Sequence, residues 1–304
     1  MRRPLISVCV PTMRVGGLDV LFAGLINQTF RDFELVLSDA LWSRRRDLVA
    51  QKAAELELTV THVEPFDNPF PISAFCRYAN TALHYARGEL ILFITDYTWL
   101  PPESLKTHAH VFLSYGPRLA LLCPHRYVQH PSLAPDFPSY AQADADRYAT
   151  DCARGDLDLH LWSIFVRPMK PNDEPRALPI DDATGPDPKL AFPQAGIIPS
   201  YFFHAKHESI PAQAVFKVNG WNEALDGTHG WQDTDLAERI DAHAQLTWVL
   251  EPSNVAIIVN PRHVFPWAKR LKPYEENEPI WRAAKAAGYP LPINRWTLQG
   301  EPPQ

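Results

Sequence analysis

Over its first 125 residues the chain alternates short apolar, β-branched runs with segments of helical spacing. Leu5–Val10, Phe33–Leu37, Leu58–Val63, Glu89–Thr95 and Leu119–Cys123 read as strands. Leu18–Ile26, a stretch capped by Ser43 and running to about Leu56, and Ser73–Ala86, ended by Gly88, read as helices. Strands separated by helices pair in parallel through right-handed crossovers. The expected fold class is therefore α/β, with a mostly parallel central sheet flanked by helices. In such sheets ligands bind beyond the carboxyl ends of the strands. That draws attention to Pro11, Thr12, Asp39, Glu64–Asp67 and Asp96, which follow the successive strands.

From about Tyr127 to Gly196 the alternation breaks. Tyr140–Ala153 reads as an exposed helix, and the Pro- and Asp-rich Pro168–Pro193 as a long loop of the kind that covers a site. Order returns with a strand over Ile197–Phe203, a short helix over Glu208–Val215 and a turn at Val218-Asn219-Gly220. A helix over Trp231–Ala244, strands at Leu246–Leu250 and Val255–Val259, and an amphipathic helix over Ile280–Ala287 complete the reading.

With 46% hydrophobic residues the chain can fill a sizeable core, and its 29 basic against 35 acidic residues argue against a duplex-DNA binder. The one dense basic run, Arg44-Arg45-Arg46, reads as a solvated first helical turn. Four cysteines without CxxC spacing read as buried free thiols of a reducing compartment, with a disulfide between distant partners left open. The apolar run at the N-terminus stops at Pro11, short of a signal-peptide core, and no stretch reaches the roughly 20 apolar residues of a membrane span. A cytoplasmic protein, with room for peripheral membrane attachment, is expected.

Four places carry candidate chemistry. A carboxylate at Asp39 can accept a uracil N–H, bind a ribose hydroxyl or simply serve its loop. Asp96 can face a cation or a ribose, or belong to the helix start before Pro101. Asp233 and Asp235 stand in a first helical turn, either as acid–dipole partners or as a general base with an acceptor-binding acid. Two residues apart, they point to different sides, so only one is placed to be the base. His263, after the last strand, offers a metal ligand or a diphosphate contact. Trp221, Trp231 and Trp267 offer flat faces to a sugar ring or to the core.

Taken in order, these segments resemble the family 2 glycosyltransferases. Ile6–Thr12 is similar to their opening strand, Asn27-Gln28-Thr29-Phe30 to their NQT(Y/F) helix end, and Phe33–Asp39 to their FEIIVVD strand with a nucleoside-binding Asp. Asn80, Ala86-Arg87-Gly88-Glu89 and Asp96 follow their N-x-G, A-x-G-E and D-x-D. Val218–Glu223 with Gly230–Arg239 resembles VNGFDE and GWGGEDTDLxxRL of galactosyltransferase-like and chondroitin-polymerase-like members. The likeness spans about 1–125 and 197–265. It departs where Thr98 takes the place of the second Asp of D-x-D, Gln232 that of the Glu before the usual base, and Ala40 that of an Asp.

The resemblance implies a GT-A, Rossmann-like fold over 1–270. Within it lie a nucleotide-sugar half at 1–125, a loop-rich insertion or lid at 126–196 and an acceptor-side catalytic half at 197–270. An extension follows at 271–304. It implies an inverting hexosyl transfer from a nucleotide diphosphate sugar, by preference a UDP-sugar, to an acceptor hydroxyl. Asp233 would be the base. Pro11, Thr12, Asp39, Arg77 and Asp96 would serve the donor, and Trp231, Gln232 and Asp235 the acceptor. Asp96 and His263 would share a divalent cation, Mn²⁺ or Mg²⁺, with weak or conditional dependence. Two alternatives stay open: a non-catalytic nucleotide-sugar or glycan-binding relative, and a phage-type transferase acting on a modified nucleic-acid base.

Overall fold

The computed structural model describes residues 3–13, 18–69, 74–130, 159–160, 176–177, 196–227, 230–261 and 274–295. The expected helix at Tyr140–Ala153, Cys152, His263 and Trp267 lie outside them, as does the expected loop at Pro168–Pro193 except for Arg176–Ala177, which form a strand and not loop.

Four parallel strands make one half of a nine-stranded sheet: β1 (Ile6–Thr12), β2 (Phe33–Asp39), β3 (Val60–Val63) and β4 (Leu90–Ile94), in the order β3-β2-β1-β4. Helices α1 (Leu18–Ile26), α2 (Trp42–Glu55) and α3 (Phe75–Tyr85) are their crossovers. β1 and β2 are buried along nearly their whole length because helices cover both sheet faces. Alternate residues divide between two cores. Val8 and Val10 pack with Leu21 and Leu25 of α1, whereas Cys9, Val36 and Phe93 pack with Ala79 and Leu83 of α3.

The chain leaves β1 toward β2 on one side and returns to β4 on the other, so the order reverses between β1 and β4. The crevice beyond their carboxyl ends is the place where such sheets bind ligands. The β1–β2 register sets Thr12 beside Asp39 at that edge. After β4 come β5 (Thr98–Trp99) and α4 (Ser104–Tyr115). Gly24 lets α1 lie against β5, since a Cβ there would stand 2.5 Å from the Leu100 nitrogen.

The sheet continues beyond β4 as β11 (His207–Pro211), β6 (Leu119–Leu122), β12 (Thr247–Leu250), β10 (Gly196–Ile197) and β9 (Arg176–Ala177). β6 and β12 run parallel to each other, and β11 lies antiparallel between β4 and β6. A second sheet has the order β5-β13-β7-β8, with β7 (His125–His130), β8 (Leu159–His160) and β13 (Ala256–Pro261). The remaining helices are α5 (Ala212–Lys217), α6 (Gln232–His243) and α7 (Asn277–Ala286).

Three local expectations change. The strand expected over Ile197–Phe203 ends at Ile197, and a 3₁₀ turn covers Ser200–Phe202, because Pro199 cannot donate to a ladder. The helix expected over Glu208–Val215 is instead β11 up to Pro211 and α5 from Ala212. A five-residue run buried on both sides has no period that separates strand from helix. Ser43 is not a cap: α2 starts at Trp42, and the N–H of Leu41 ahead of it is bound by Asp39 at 2.8 Å.

Candidate active site

Asp39 ends β2 and is completely buried. Its Oδ1 accepts from the Leu41 N–H at 2.8 Å and Arg45 Nη2 at 2.7 Å. Its Oδ2 accepts from Arg45 Nε at 2.6 Å and meets His62 Nε2 at 2.9 Å. Burial acts to raise its pKa, but the bonds from His62 and Arg45 and the Arg45 charge hold it below the usual carboxylate range. The carboxylate expected to meet a nucleoside is thus bound on both oxygens by its own chain. Arg45 is the part of this arrangement that the sequence reading missed. Arg44 and Arg46 are exposed as expected, but Arg45 is buried, one turn before buried Val49. That i, i+4 pairing was the available signal.

Thr12 joins this cluster to the other side of the crevice. Its hydroxyl donates to Asp96 Oδ2 at 2.6 Å, and Arg45 Nη2 lies 3.5 Å from its oxygen. Asp96 is the one carboxylate at the D-x-D position. Thr98 is wholly buried in β5, its hydroxyl 2.8 Å from that of Thr95. The described residues there supply one hard oxygen donor group to a divalent cation, fewer than a protein-built site needs. Pro11 lies within β1, in register with Ser38.

The start of α6 is built from a left-handed backbone. Trp231 has φ 70° and Gly230 φ 134°. Gln232, expected on the acceptor side, is buried and braces the turn: its Oε1 accepts from the Gly230 N–H at 2.6 Å and its Nε2 donates to the Leu225 carbonyl. The half-buried Trp231 ring stacks on Trp281 of α7 at 4.2 Å between centroids. Trp221 lies in the core, edge-on to Phe75 and Phe93.

Asp233 and Asp235 do part company. Asp235 is fully buried and paired to Arg239, so it presents no surface to an acceptor. Asp233 is half-buried, and burial raises its pKa to about 6 while Lys206 pulls the other way. The helix start would favour its ionised form; desolvation outweighs that here. Asp233 also acts through space on Glu208, a buried carboxylate of β11. Because His207 pairs with Ile94, Lys206 and Glu208 flank the carboxyl end of β4, close to Asp96 in the chain. A carboxylate that titrates near 6 at this edge can accept a proton near neutral pH.

Arg77 and Asp226 meet at the start of α3. Asp226 accepts the N–H groups of Cys76 at 2.7 Å and Arg77 at 3.2 Å, at the start of α3. Burial pushes its pKa up to about 7 against those two bonds. The Arg77 side chain donates to the Asp67 carbonyl at 3.2 Å and lies 4.0 Å from Glu223. The sequence reading did not single out Lys206, Glu208 or Asp226.

No family model matches the sequence, and no curated protein matches it. Solved structures do. A crystal structure of S. aureus TarS 1-349 in complex with UDP-GlcNAc is 13% identical, with a TM-score of 0.56 over 90% of this chain and 63% of that one. GalNAc-T7 with UDP, GalNAc and Mn²⁺ is 9% identical, with a TM-score of 0.54 over 85% and 44%. The mannosyltransferase PcManGT from Pyrobaculum calidifontis in complex with GDP-Man and Mn²⁺ is 19% identical, with a TM-score of 0.51 over 94% and 65%. The chain therefore spans less than two thirds of each of these structures. The fold is the expected GT-A fold, with its mostly parallel sheet flanked by helices. No described helix is long and apolar enough to cross a membrane.

Proposed function

We propose that this chain is an inverting glycosyltransferase, similar to family 2, that moves a sugar from a nucleotide diphosphate sugar to an acceptor hydroxyl. The observation that carries the reading is Asp233: a half-buried carboxylate on the first turn of α6, raised to about 6 by burial and within electrostatic reach of Lys206, which stands one residue before the strand β11 that pairs with β4. In this reading Asp233 takes the proton of the acceptor hydroxyl as its oxygen attacks the anomeric carbon, and the nucleoside diphosphate leaves from the opposite face. Lys206 steadies the ionised carboxylate. Thr12, Asp39 and Asp96, with Pro11 and Arg77 flanking, form the donor side. Trp231, stacked on Trp281, offers its remaining face to the acceptor.

UDP is the preferred nucleotide because two of the three fold neighbours carry UDP or a UDP-sugar in their complexes, the third carrying GDP-Man. A divalent cation, when bound, would offset charge on the leaving diphosphate. Asp96, with His263, would hold it, the diphosphate and water completing its shell. Cys9, Cys76 and Cys123 are free and buried, which suits the reducing cytoplasm. Radiolabelled transfer from UDP- and GDP-sugars to an acceptor library tests the reading. Donor bound but never transferred or hydrolysed would favour the second reading, a non-catalytic sugar-nucleotide binder, which Thr98 and the self-satisfied Asp39 support.

A further inference from the structure

A cluster that the proposed reaction does not use lies on the other side of the sheet from α6. Ser104 and His108 stand four residues apart on one face of α4. His207 and Ser209 stand two apart on β11 and share one face of the strand. Cys123 follows β6, the neighbouring strand, in the small core that α4 closes through Val111. His108, Cys123 and His207 are all fully buried, and one donor atom from each lies within 4.8 Å of the other two.

The hydrogen bonds around these atoms have a direction. His207 Nδ1 lies 3.2 Å from the Pro124 carbonyl, which can only accept, so Nδ1 carries the proton of the neutral ring. Nε2 is then the unprotonated nitrogen and accepts from the Ser104 hydroxyl at 2.8 Å, a bond that the hydroxyl can exchange for a place beside a metal. His108 turns its Nδ1 to Ser209 Oγ at 2.8 Å and its Nε2 to Cys123 Sγ at 3.7 Å. Outer ring nitrogens held by oxygens, with inner ones converging, are the arrangement found around metal-ligating histidines. Zinc bonds of about 2.3 Å to sulfur and 2.0–2.1 Å to nitrogen at the tetrahedral angle give an S···N edge of about 3.6 Å.

We propose that His108 Nε2, Cys123 Sγ and His207 Nε2 form a buried site for a tetrahedral, thiolate-accepting divalent metal, Zn²⁺ in the first instance. The Ser104 hydroxyl beside His207 Nε2 is the neighbouring oxygen for the fourth position. On binding, Cys123 loses its S–H proton to solvent and Sγ bonds to the metal. The thiolate leaves one positive charge on the site. Glu251 lies beside the site: its N–H donates to the Leu122 carbonyl at 2.9 Å, its carboxylate is 1% exposed and raises the metal-free Cys123 thiol through space, and its Oε2 has no hydrogen-bond partner among the described residues, so a cation there would give it a countercharge. The Asn254 side-chain N–H points at Cys123 Sγ from 3.4 Å, as N–H groups do around metal-bound thiolates. The metal would pin α4 to β6 and β11 and serve the fold. The donor set is soft and shares no residue with the proposed donor side, so the inference stands whether or not the chain transfers sugars.

The full chain, produced in minimal medium with Zn²⁺ or Co²⁺ as the only added transition metal and dialysed briefly against chelator, is analysed for metal and by absorption. Close to one zinc per chain is expected. The cobalt form should show a cysteine-to-cobalt charge-transfer band and intense visible bands of a tetrahedral site. Cys123→Ser should lose the charge-transfer band, and Asp96→Asn should keep it. Wild-type protein with under a tenth of an equivalent of zinc and no cobalt bands, or bands that survive Cys123→Ser, would overturn the proposal. If Cys123→Ser does not fold, the metal content and cobalt spectrum of the wild-type chain decide alone.

Discussion

Asp235 and Arg239 form an ion pair one turn apart on α6, Arg239 Nη2 lying 2.7 Å from Asp235 Oδ2, and neither is more than 1% exposed. Arg239 Nη1 donates to the carbonyls of Val218 and Gly220 at 2.6 and 2.7 Å, so the pair also holds the left-handed Asn219-Gly220 turn. Arg239→Met should cost about 3–5 kcal/mol, because it strands a buried charge and two carbonyls. Adding Asp235→Leu should recover part of the loss. Urea unfolding measures both, and a loss under about 1 kcal/mol for Arg239→Met would rule out a bracing role.

Asp233→Asn should keep the fold and donor affinity but lower transfer by roughly 10²–10⁴-fold, the range for a lost acid–base group. In the wild-type chain, kcat/KM should rise with pH through about 6, where Asp233 ionises. Turnover near normal in Asp233→Asn, measured by radiolabel transfer with donor affinity alongside, would remove Asp233 from the mechanism.

Asp39→Ala tests the donor side. The variant frees Arg45 and His62, so stability should fall, and UDP affinity should weaken by about 1–3 kcal/mol, as for a hydrogen bond to a charged group. Calorimetry on the folded variant decides. Unchanged affinity would leave Asp39 as a brace for Arg45 and nothing more.

Chelation should weaken UDP binding only in part, since Thr98 supplies no second carboxylate beside Asp96. Tight, stoichiometric Mn²⁺ binding to the donor-free protein would contradict this; a calorimetric titration reads it directly.

Asp226 sets a pH dependence of stability. Its folded pKa of about 7 lies above the unfolded value, so its stabilising contribution is full below the unfolded pKa and is lost as pH rises through about 7. Relative to Asp226→Asn, the wild-type Tm should therefore decline between about pH 4 and pH 7 and run parallel above that. Parallel Tm profiles for the two proteins throughout would show that burial does not shift this carboxyl.

Much of the first half was legible in the sequence for a local reason. An apolar run of five to seven residues bounded by Pro, Gly or Asp reads as a buried strand wherever it lies, and Leu18–Ile26 forms a helix with the bounds its spacing predicts. The α/β class and the parting of Asp233 from Asp235 followed from the same local periods, whereas the GT-A expectation came from the resemblance of the ordered motifs to the family 2 glycosyltransferases. β11 was misread because its burial comes from strands some 115 and 85 residues earlier, which no local period reports. Long-range register also decided what the carboxylates do. Asp39 is saturated because β2 lies beside β3, which brings His62 to it, and because α2 folds Arg45 back over it. The meeting of His108, Cys123 and His207 depends on β11 running antiparallel beside β6 under α4. Sequence determines the period and polarity of each element, since these depend on residues a few positions apart. The partner of a buried charge is set by strands that meet only when the whole sheet has formed, so tertiary structure alone decides it.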